Sequence, residues 1–410
     1  MRMVLHDYAG HPGQVQLARA LAHRGHSVEY QYCNSYTTGR GPVDLLPSDP
    51  QTFSIVSMGT RTEFARYSAG TRIRQEIGYG IQLARRLMDA RPDVVVLSNV
   101  PLVAHAIVAV CLAAARIPMV FWHQDIYSVA IRVTAVRKFG RVGHVIGSAA
   151  DNLERMIARL SSIVIPIDAS FSDTLYRWGK TPENVLPIPN WGPVDEVTPR
   201  PKVNEWSARC GLADLPVLMY AGTLGLKHDP AVIVEVAREL YRNCPRARFV
   251  VISEGRGREF LERALREQSI PNLVLLDFQP YAMLPDVLAT GDALLVLLDP
   301  AASKFSVPSK ALTYMCAGRP LVVATPAENA VARMVRRSGA GLVVEPTDAG
   351  GIAKAALLFL MDKEQQARAA EKAVRYAREN FRIERLVVQF ESACVKATSK
   401  PFVLRRHSGR

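Results

Sequence analysis

The stretch Arg2–Cys33, RMVLHDYAGHPGQVQLARALAHRGHSVEYQYC, contains two short strand-like runs with a helical pattern between them. The runs cover residues 2–6 and 27–33, and both have the length of a buried strand. Between them, apolar side chains recur at helical spacing and a glycine follows the last one: Val15, Leu17, Ala18, Leu21 and Gly25. The stretch therefore predicts a strand, a helix and a second strand, the βαβ unit of α/β proteins.

The same alternation of strands and helices continues through most of the 410 residues. Further strand candidates lie at 94–97, 118–122, 162–167, 216–221, 248–252, 272–276, 293–298 and 320–324. Helical patterns such as 230–243 and 257–268 separate them, and the pattern after residue 350 is helical throughout. The proline-rich stretch 182–203 lacks periodicity and indicates a linker. We therefore predict an α/β fold of two doubly wound domains, with the active site in the cleft at the strands' carboxyl ends.

Composition limits the kinds of ligand. The net charge is +13, which favours an anionic partner such as nucleic acid, a phosphorylated metabolite or acidic lipid headgroups. The six cysteines form no C-x-x-C pair and lie in or beside apolar runs, which indicates buried thiols in a reducing compartment. Residues 1–30 lack the layout of a signal peptide. We therefore expect a cytoplasmic protein.

One uncharged segment, residues 94–115, is long enough to raise the question of a transmembrane helix. The sequence SNVP at 98–101 interrupts it with a polar pair and a proline, which is typical of a turn. We therefore predict a buried strand followed by a buried helix over 102–115.

Three loops have features that suit an anion. GHPGQ at 10–14 follows the first strand and opens the first helix, without the G-x-G-x-x-G fingerprint of dinucleotide binding. YAGTLGLKHDP at 220–230 places two glycines and Lys227 between a strand and a helix. At the third loop, Pro308 suits a first helical turn, Ser309 is predicted to cap it, and Lys310 adds charge. Together the two lysine-bearing loops predict a diphosphate site.

A histidine and an aspartate are the candidates for proton handling. His123 and Asp125 follow the buried strand PMVFW, and residues at that end of a parallel strand are expected to line the active site. G-x-S-x-G, H-E-x-x-H and G-x-x-x-x-G-K-[ST] are all absent from the sequence, as is any cluster with metal-ligand spacing.

Two basic segments could rest on an anionic bilayer. The first, predicted as one helix, combines Arg132, Arg137, Lys138 and Arg141 with Val133, Val136 and Val142. The second combines Arg61, Arg66, Arg72 and Arg74 with Phe64, Tyr67 and Ile73. Ordinary solvated helix faces remain the alternative. Nucleic acid is not expected, because no nucleic-acid motif accompanies the charge.

Several of these stretches together resemble a known family. They are GHPGQVQLARALAHRGHSVE, NVLPIPNWG, VLMYAGTLGLKHDP, FVVISEGRG, VPSKALTYMCAGRPLVVA and SGAGLVVEPTD. The combination resembles the family-four glycosyltransferases of the GT-B fold, and within them the branch that builds bacterial exopolysaccharide and O-antigen units. The resemblance covers nearly the whole chain, and its C-terminal block is the most specific part.

The resemblance implies two Rossmann-like domains that face each other across a cleft. The corresponding boundaries are an acceptor-binding domain at 1–190, a linker at 191–203, a nucleotide-sugar-binding domain at 204–380, a helix at 381–400 that crosses back to the first domain, and a basic tail at 401–410. It also implies transfer of a sugar from a UDP- or GDP-linked donor to a lipid-linked or small glycoside acceptor. Retention of configuration, no metal and no cofactor are implied as well, with an anionic membrane as a possible partner.

Site residues follow from the resemblance position by position. His123 matches the histidine near the reacting sugar, and Asp125 matches a polar residue that often follows it. The implied donor contacts are Gly13, Gly222, Thr223, Lys227, Glu254, Gly255, Pro308, Ser309 and Lys310.

Two departures from the family pattern concern the donor. Many members carry an arginine where this chain has Thr223. The family's paired glutamates, seven residues apart, are also missing, since no acid occurs between Asp299 and Glu328. The family pattern therefore does not specify which residues of this chain contact the sugar and the ribose of the donor. Two alternatives also stay open: a nucleotide-sugar epimerase of the same architecture, and a non-catalytic partner subunit.

Overall fold

The computed structural model describes residues 1–35, 43–59, 69–225 and 227–399, which form two compact units. The first unit consists of Met1–Pro189 together with the helix α15 (Ile383–Ser399), and the second spans Asn190–Arg382. The basic tail predicted at 401–410 lies outside the described residues, as do Arg61, Phe64, Arg66 and Tyr67.

The first unit is a parallel sheet of six strands with helices between them. Its elements in chain order are β1 (Arg2–Asp7), α1 (Pro12–His23), β2 (Ser27–Cys33), β3 (Phe53–Met58), α2 (Ala69–Ala90), β4 (Val94–Ser98), α3 (Leu102–Ala114), β5 (Met119–His123), α4 (Tyr127–Phe139), α5 (Arg141–Leu160), β6 (Ile163–Pro166) and α6 (Ser172–Arg177). The strands lie in the order β3-β2-β1-β4-β5-β6, so the winding direction reverses between β1 and β4.

The second unit repeats this plan. Its elements are α7 (Glu205–Arg209), β7 (Val217–Ala221), α8 (Pro230–Asn243), β8 (Arg248–Ile252), α9 (Arg256–Glu267), β9 (Leu273–Leu276), α10 (Leu284–Thr290), β10 (Ala293–Leu297), α11 (Lys310–Cys316), β11 (Leu321–Ala324), α12 (Ala330–Ser338), β12 (Gly341–Val344), α13 (Ala349–Met361) and α14 (Lys363–Asn380). The sheet order is β12-β11-β10-β7-β8-β9, with the reversal between β7 and β10.

These sheets confirm the predicted fold class of two Rossmann-like doubly wound domains. The central strands β4, β5 and β10 are buried along their whole length, as expected for parallel strands covered by helices on both faces. The predicted stripe on α1, including Val15, Leu17 and Leu21, is buried. Two strands escaped prediction, β3 and β12, and both are partly exposed edge strands. β3 mixes polar with apolar residues, and β12 is only four residues long.

The uncharged segment 94–115 forms β4, a turn and α3, as predicted. Within the described ranges, no helix is both long and apolar enough to cross a bilayer.

The basic segment predicted as a single helix is two helices, so that prediction was wrong. α4 ends and α5 begins at Gly140, whose φ of +54° is a left-handed conformation that glycine adopts without a Cβ penalty. The two helices then pack closely, because a Cβ on Gly143 would lie 2.3 Å from the Val136 nitrogen, and one on Gly147 would lie 2.6 Å from the Arg132 Cβ. We call residues 132–146 the hairpin tip.

Candidate active site

The second unit brings two loops together at its reversal point. One loop follows β7 and carries Gly222, Thr223 and Lys227, and the other follows β10 and leads to Lys310. The Asp299 N–H donates to the Lys227 carbonyl at 2.8 Å, which joins the loops directly. Crevices at such reversal points are where doubly wound sheets bind their ligands.

Lys310 reaches from the start of α11 toward the end of β7. Its ammonium group hydrogen-bonds the Tyr220 hydroxyl and lies 3.9 Å from the centroid of the Tyr220 ring. Gly222, with φ of +145°, leaves room for it, since a Cβ there would lie 3.0 Å from the Lys310 Cε. Lys227 approaches from the other loop, and its Nζ donates to the Ser306 hydroxyl at 2.9 Å.

The electrostatics at this point favour an anion. Burial, and to a smaller extent the neighbouring charge of Lys227, lower the pKa of Lys310 to about 7. His228 lies in the same region, and its pKa is lowered well below the usual value by burial and then by Lys310 and Lys227. A diphosphate beside the two lysines would stabilise the charged form of Lys310.

The turn after β8 lies against the β7 loop of this candidate site. Gly255 precedes α9 with φ of +95°, and no side chain caps that helix. The β7 loop packs onto the turn, because Leu224 N–H donates to the Ser253 hydroxyl at 3.0 Å and Gly257 N–H donates to the Leu224 carbonyl at 3.0 Å. Glu254 is half-buried beside these contacts.

The predicted cap by Ser309 was wrong. The Ser309 backbone is already helical, with φ −60° and ψ −22°, and its side chain makes no capping hydrogen bond. A capping side chain needs an extended backbone to reach the first free N–H groups, and this residue lacks one. Pro308, the residue before Ser309, is buried. The start of α11 therefore provides the candidate site with Lys310 and not with a capping serine.

Sequence reasoning missed the tyrosines that shape this site. The Tyr314 hydroxyl donates to the Ala221 carbonyl and accepts from the Ala221 N–H, both at 2.9 Å, so it fixes the end of β7. Tyr314 stands four residues after Lys310 and therefore on the same face of α11, which is the signal that could have revealed it. Tyr220, the last aromatic residue of β7, offered no comparable signal.

In the first unit, the structure places His123 in the interior. The side chain is fully buried, and its Nε2 lies 3.1 Å from Oε1 of the equally buried Glu154. Asp125 is half-buried two residues further on. His123 was expected to line the active site, and here it contacts α5 instead. Its catalytic role and that of Asp125 stay predictions.

Glu154 was missed by sequence reasoning, although α5 carries a signal. It is a charged residue on the same helical stripe as the buried Gly147, Ala150 and Ile157. Its carboxylate also accepts the N–H groups of Tyr127 at 2.9 Å and Ser128 at 2.7 Å, which are the first residues of α4. Glu154 thus joins β5, α4 and α5.

Gly13 lies in the first turn of α1, directly after Pro12, rather than in a loop before the helix. The helix is preceded by His11, whose N–H donates to the Asp7 carboxylate at 2.6 Å. Across the described part of the chain, no group of three or more His, Cys, Asp or Glu side chains is arranged to hold a metal ion.

The two doubly wound units, each with its own reversal point, define the class as a GT-B-type fold. Residues 12–191 match the family described as "Glycosyl transferase 4-like domain", and residues 215–362 match "Glycosyl transferases group 1". The chain belongs to this group of glycosyltransferases.

Two curated relatives are similar over part of the chain. The first, from Escherichia coli (strain K12), is named as the colanic acid biosynthesis glycosyl transferase WcaI and is 27% identical over 48% of this chain and 49% of its own length. The second, the alpha-D-kanosaminyltransferase of Streptomyces kanamyceticus, is 28% identical over 41% of this chain and 42% of its own. The matches thus span half of each relative or less.

Solved structures share the fold over nearly the full length. Anabaena HepE in complex with UDP and glucose has a TM-score of 0.70 at 16% identity, over 96% of this chain and 99% of that one. Sucrose-phosphate synthase from Thermosynechococcus elongatus has a TM-score of 0.75 at 14% identity, over 97% and 99%. At these identities the likeness shows the fold alone.

The three contacts of Glu154 generate a stability prediction. We expect Glu154→Ala to destabilise the protein by about 2–4 kcal/mol, because it leaves one buried imidazole and two backbone N–H groups without their acceptor. Urea unfolding of the wild type and the variant measures the loss. Asp89→Ala, at an exposed position on α2, is the control and should lie within about 0.5 kcal/mol of the wild type. Equal stability of the two variants would contradict the structural role of Glu154.

Proposed function

We propose that this protein transfers a hexose from a UDP-linked sugar to a lipid-linked or small glycoside acceptor, in the synthesis of a surface polysaccharide or glycoconjugate. The observation that carries the proposal is the convergence of Lys227 and Lys310 beside Gly222 at the reversal point of the second sheet. UDP is preferred over GDP because HepE shares the fold and was crystallised with UDP and UDP-glucose.

The two lysines suit the chemistry of this reaction. As the bond between the sugar and the diphosphate breaks, negative charge accumulates on the leaving phosphate. Cationic groups already in place stabilise that charge more than they stabilise the ground state. In a transfer with retention and without a carboxylate nucleophile, the departing phosphate itself accepts the proton of the acceptor hydroxyl. The lysines supply the positive charge, so the proposed reaction is metal-independent.

The hairpin tip supports a membrane-bound acceptor. Exposed apolar side chains cluster there: Val133, Phe139, Val142, Val145 and Ile146. Arg132, Arg137, Lys138 and Arg141 lie among them, and no acidic residue occurs between Asp125 and Asp151. Basic groups around exposed apolar side chains are the pattern that binds anionic headgroups and inserts into their boundary. We propose that this tip holds the enzyme peripherally on the inner face of the plasma membrane.

The diphosphate site yields a prediction on nucleotide affinity. We expect Lys227→Ala and Lys310→Ala each to weaken UDP binding about 10- to 100-fold, because a charge-assisted hydrogen bond contributes about 1.5–3 kcal/mol. Isothermal titration calorimetry with UDP measures the change, and Lys354→Ala, exposed on α13, is the matched control. Wild-type affinity in both variants would refute the site.

The donor class is tested by incubating the wild-type protein with UDP-glucose, UDP-galactose, UDP-N-acetylglucosamine and GDP-mannose and measuring the hydrolysis of each.

The lowered pKa of Lys310 predicts a pH dependence. Because that pKa is about 7 without ligand, the ammonium group loses its charge as the pH rises, and UDP binding should weaken between pH 7.0 and 8.5. The terminal phosphate of UDP, with a second pKa near about 6, is already ionised over this range and does not oppose the trend. Lys310→Arg keeps its charge and should remove most of the slope. A slope that Lys310→Arg leaves unchanged would assign the titration to another group.

Membrane binding is tested with vesicles. Val145 is 70% exposed at the hairpin tip, and Val203, in the second unit, is 65% exposed. We expect Val145→Asp to reduce co-sedimentation with phosphatidylglycerol vesicles several-fold, since it places an acid among the basic and apolar groups, while Val203→Asp should have no effect. High salt should weaken binding of the wild type. Equal effects of the two substitutions would argue against the tip as the docking site.

A further inference from the structure

A tyrosine hydroxyl is buried at the reversal point of the second sheet. Tyr220 is fully buried on the central strand β7, and the other four side chains of that strand are apolar. Phenylalanine would fill the same space without a polar group to desolvate, and a buried hydroxyl costs free energy unless it is hydrogen-bonded. The partners of this hydroxyl therefore indicate its role.

The hydroxyl connects the start of α11 to the loop after β7. It donates its proton to the Thr223 carbonyl at 3.0 Å, and its oxygen accepts a hydrogen bond from the Lys310 ammonium group. A phenolic group has one proton and two lone pairs, a carbonyl can only accept, and an ammonium group can only donate. The direction of both hydrogen bonds is therefore fixed while Lys310 is charged.

The tyrosine ring and a glycine confine the same ammonium group. Lys310 Nζ lies 3.9 Å from the centroid of the Tyr220 ring, a distance at which the ring face attracts a cation. A Cβ added to Gly222 would lie 3.0 Å from Cε and 3.2 Å from Nζ of Lys310. The lysine side chain therefore passes between an aromatic ring and a glycine backbone, which gives its charged end a defined position.

Tyr220 favours the charged form of the lysine, whereas the surroundings disfavour it. Burial, and to a smaller extent Lys227, lower the pKa of Lys310 to about 7. His228, whose ring lies edge-on to Tyr220 at 6.1 Å, is neutral because burial and then the two lysines lower its pKa. Burial, and then Tyr314 on α11, raise the pKa of Tyr220 well above its usual value, so the hydroxyl keeps its proton. A neutral hydroxyl that accepts from an ammonium group stabilises the charged form.

We infer that Tyr220 is a positioning residue for nucleotide binding, which holds the Lys310 ammonium group with its ring and hydroxyl and ties it to the Thr223 carbonyl. This inference rests on the proposed function and assigns one of the two lysines of the diphosphate site its support. Tyr314 is the contrasting case at the same end of β7, because its hydroxyl bonds both backbone groups of Ala221 and so supports the strand itself.

The first test is a double-mutant cycle on UDP affinity, measured by isothermal titration calorimetry. Tyr220→Phe keeps the ring and removes the hydroxyl, so it should weaken UDP binding about 3- to 10-fold in the wild-type background. In the Lys310→Ala background the same substitution should change the affinity by less than about 2-fold, because no ammonium group is left to position. An equal loss in both backgrounds would show that Tyr220 acts through packing alone. Circular dichroism confirms that each variant is folded.

The second test is the pH dependence of UDP binding. Without the hydroxyl the ammonium group loses an acceptor that favours its charged form, so the pKa of Lys310 falls further. The pH at which UDP affinity starts to decline should therefore be lower in Tyr220→Phe than in the wild type. Tyr314→Phe, which also removes a buried hydroxyl at the end of β7, should leave that pH in place. Equal shifts in the two variants, or no shift in Tyr220→Phe, would overturn the positioning role.

Failure of the inference is distinguishable from failure of the proposed function. UDP binding that Lys310→Ala weakens and Tyr220→Phe leaves unchanged would overturn the inference alone. A wild-type protein that binds no UDP would refute the proposed function, and the positioning role would fall with it.

Discussion

Both sheets are parallel and covered by helices on each face, and this constraint decides where polar chemistry can lie. A charged side chain in the middle of β4, β5 or β10 would be desolvated without a partner, at a cost of several kcal/mol (roughly 2–7 for a polar group alone). At the carboxyl ends the chain leaves the sheet, and loops from neighbouring strands meet. Lys227 and Lys310 lie at such an end in one unit, and His11 lies at such an end in the other.

The partners of a lysine show whether its charge is already neutralised within the fold. Lys202 pairs with the carboxylate of Asp292, which also accepts the Val217 N–H at the start of β7, so that pair fixes the amino-terminal end of the strand. Lys310, at the other end of the same strand, contacts a hydroxyl and an aromatic ring instead. These groups support an ammonium ion without neutralising it. Because burial and Lys227 lower the pKa of Lys310 to about 7, a bound anion would raise that pKa and restore the charge, which is the physical reason for treating Lys310 as a binding residue.

Sequence patterns predicted the two sheets and the meeting of the lysine-bearing loops, since the positions of strands and loops along the chain follow from apolar runs and glycines. They failed where the outcome depends on a partner distant in sequence. His123 was correctly placed at the end of a strand, but its burial depends on Glu154, which arrives from α5. Ser309 has the residue type of a cap, and only its backbone angles show that it does not act as one. The pairing of His11 with Asp7 likewise depends on the loop conformation, which spacing alone does not specify.

Helix α5 of the hairpin packs one face against α4 and exposes the other face to solvent. The inner stripe of α5 carries Gly143 and Gly147 against α4, and further along it carries Glu154 beneath the first N–H groups of α4. The hairpin is therefore fastened at both ends, by close backbone packing near Gly140 and by the buried carboxylate at its base. The outer stripe, with Val142 and Val145, is left to solvent. A surface that binds there meets side chains on an already ordered backbone, so association does not carry the entropic cost of folding the segment.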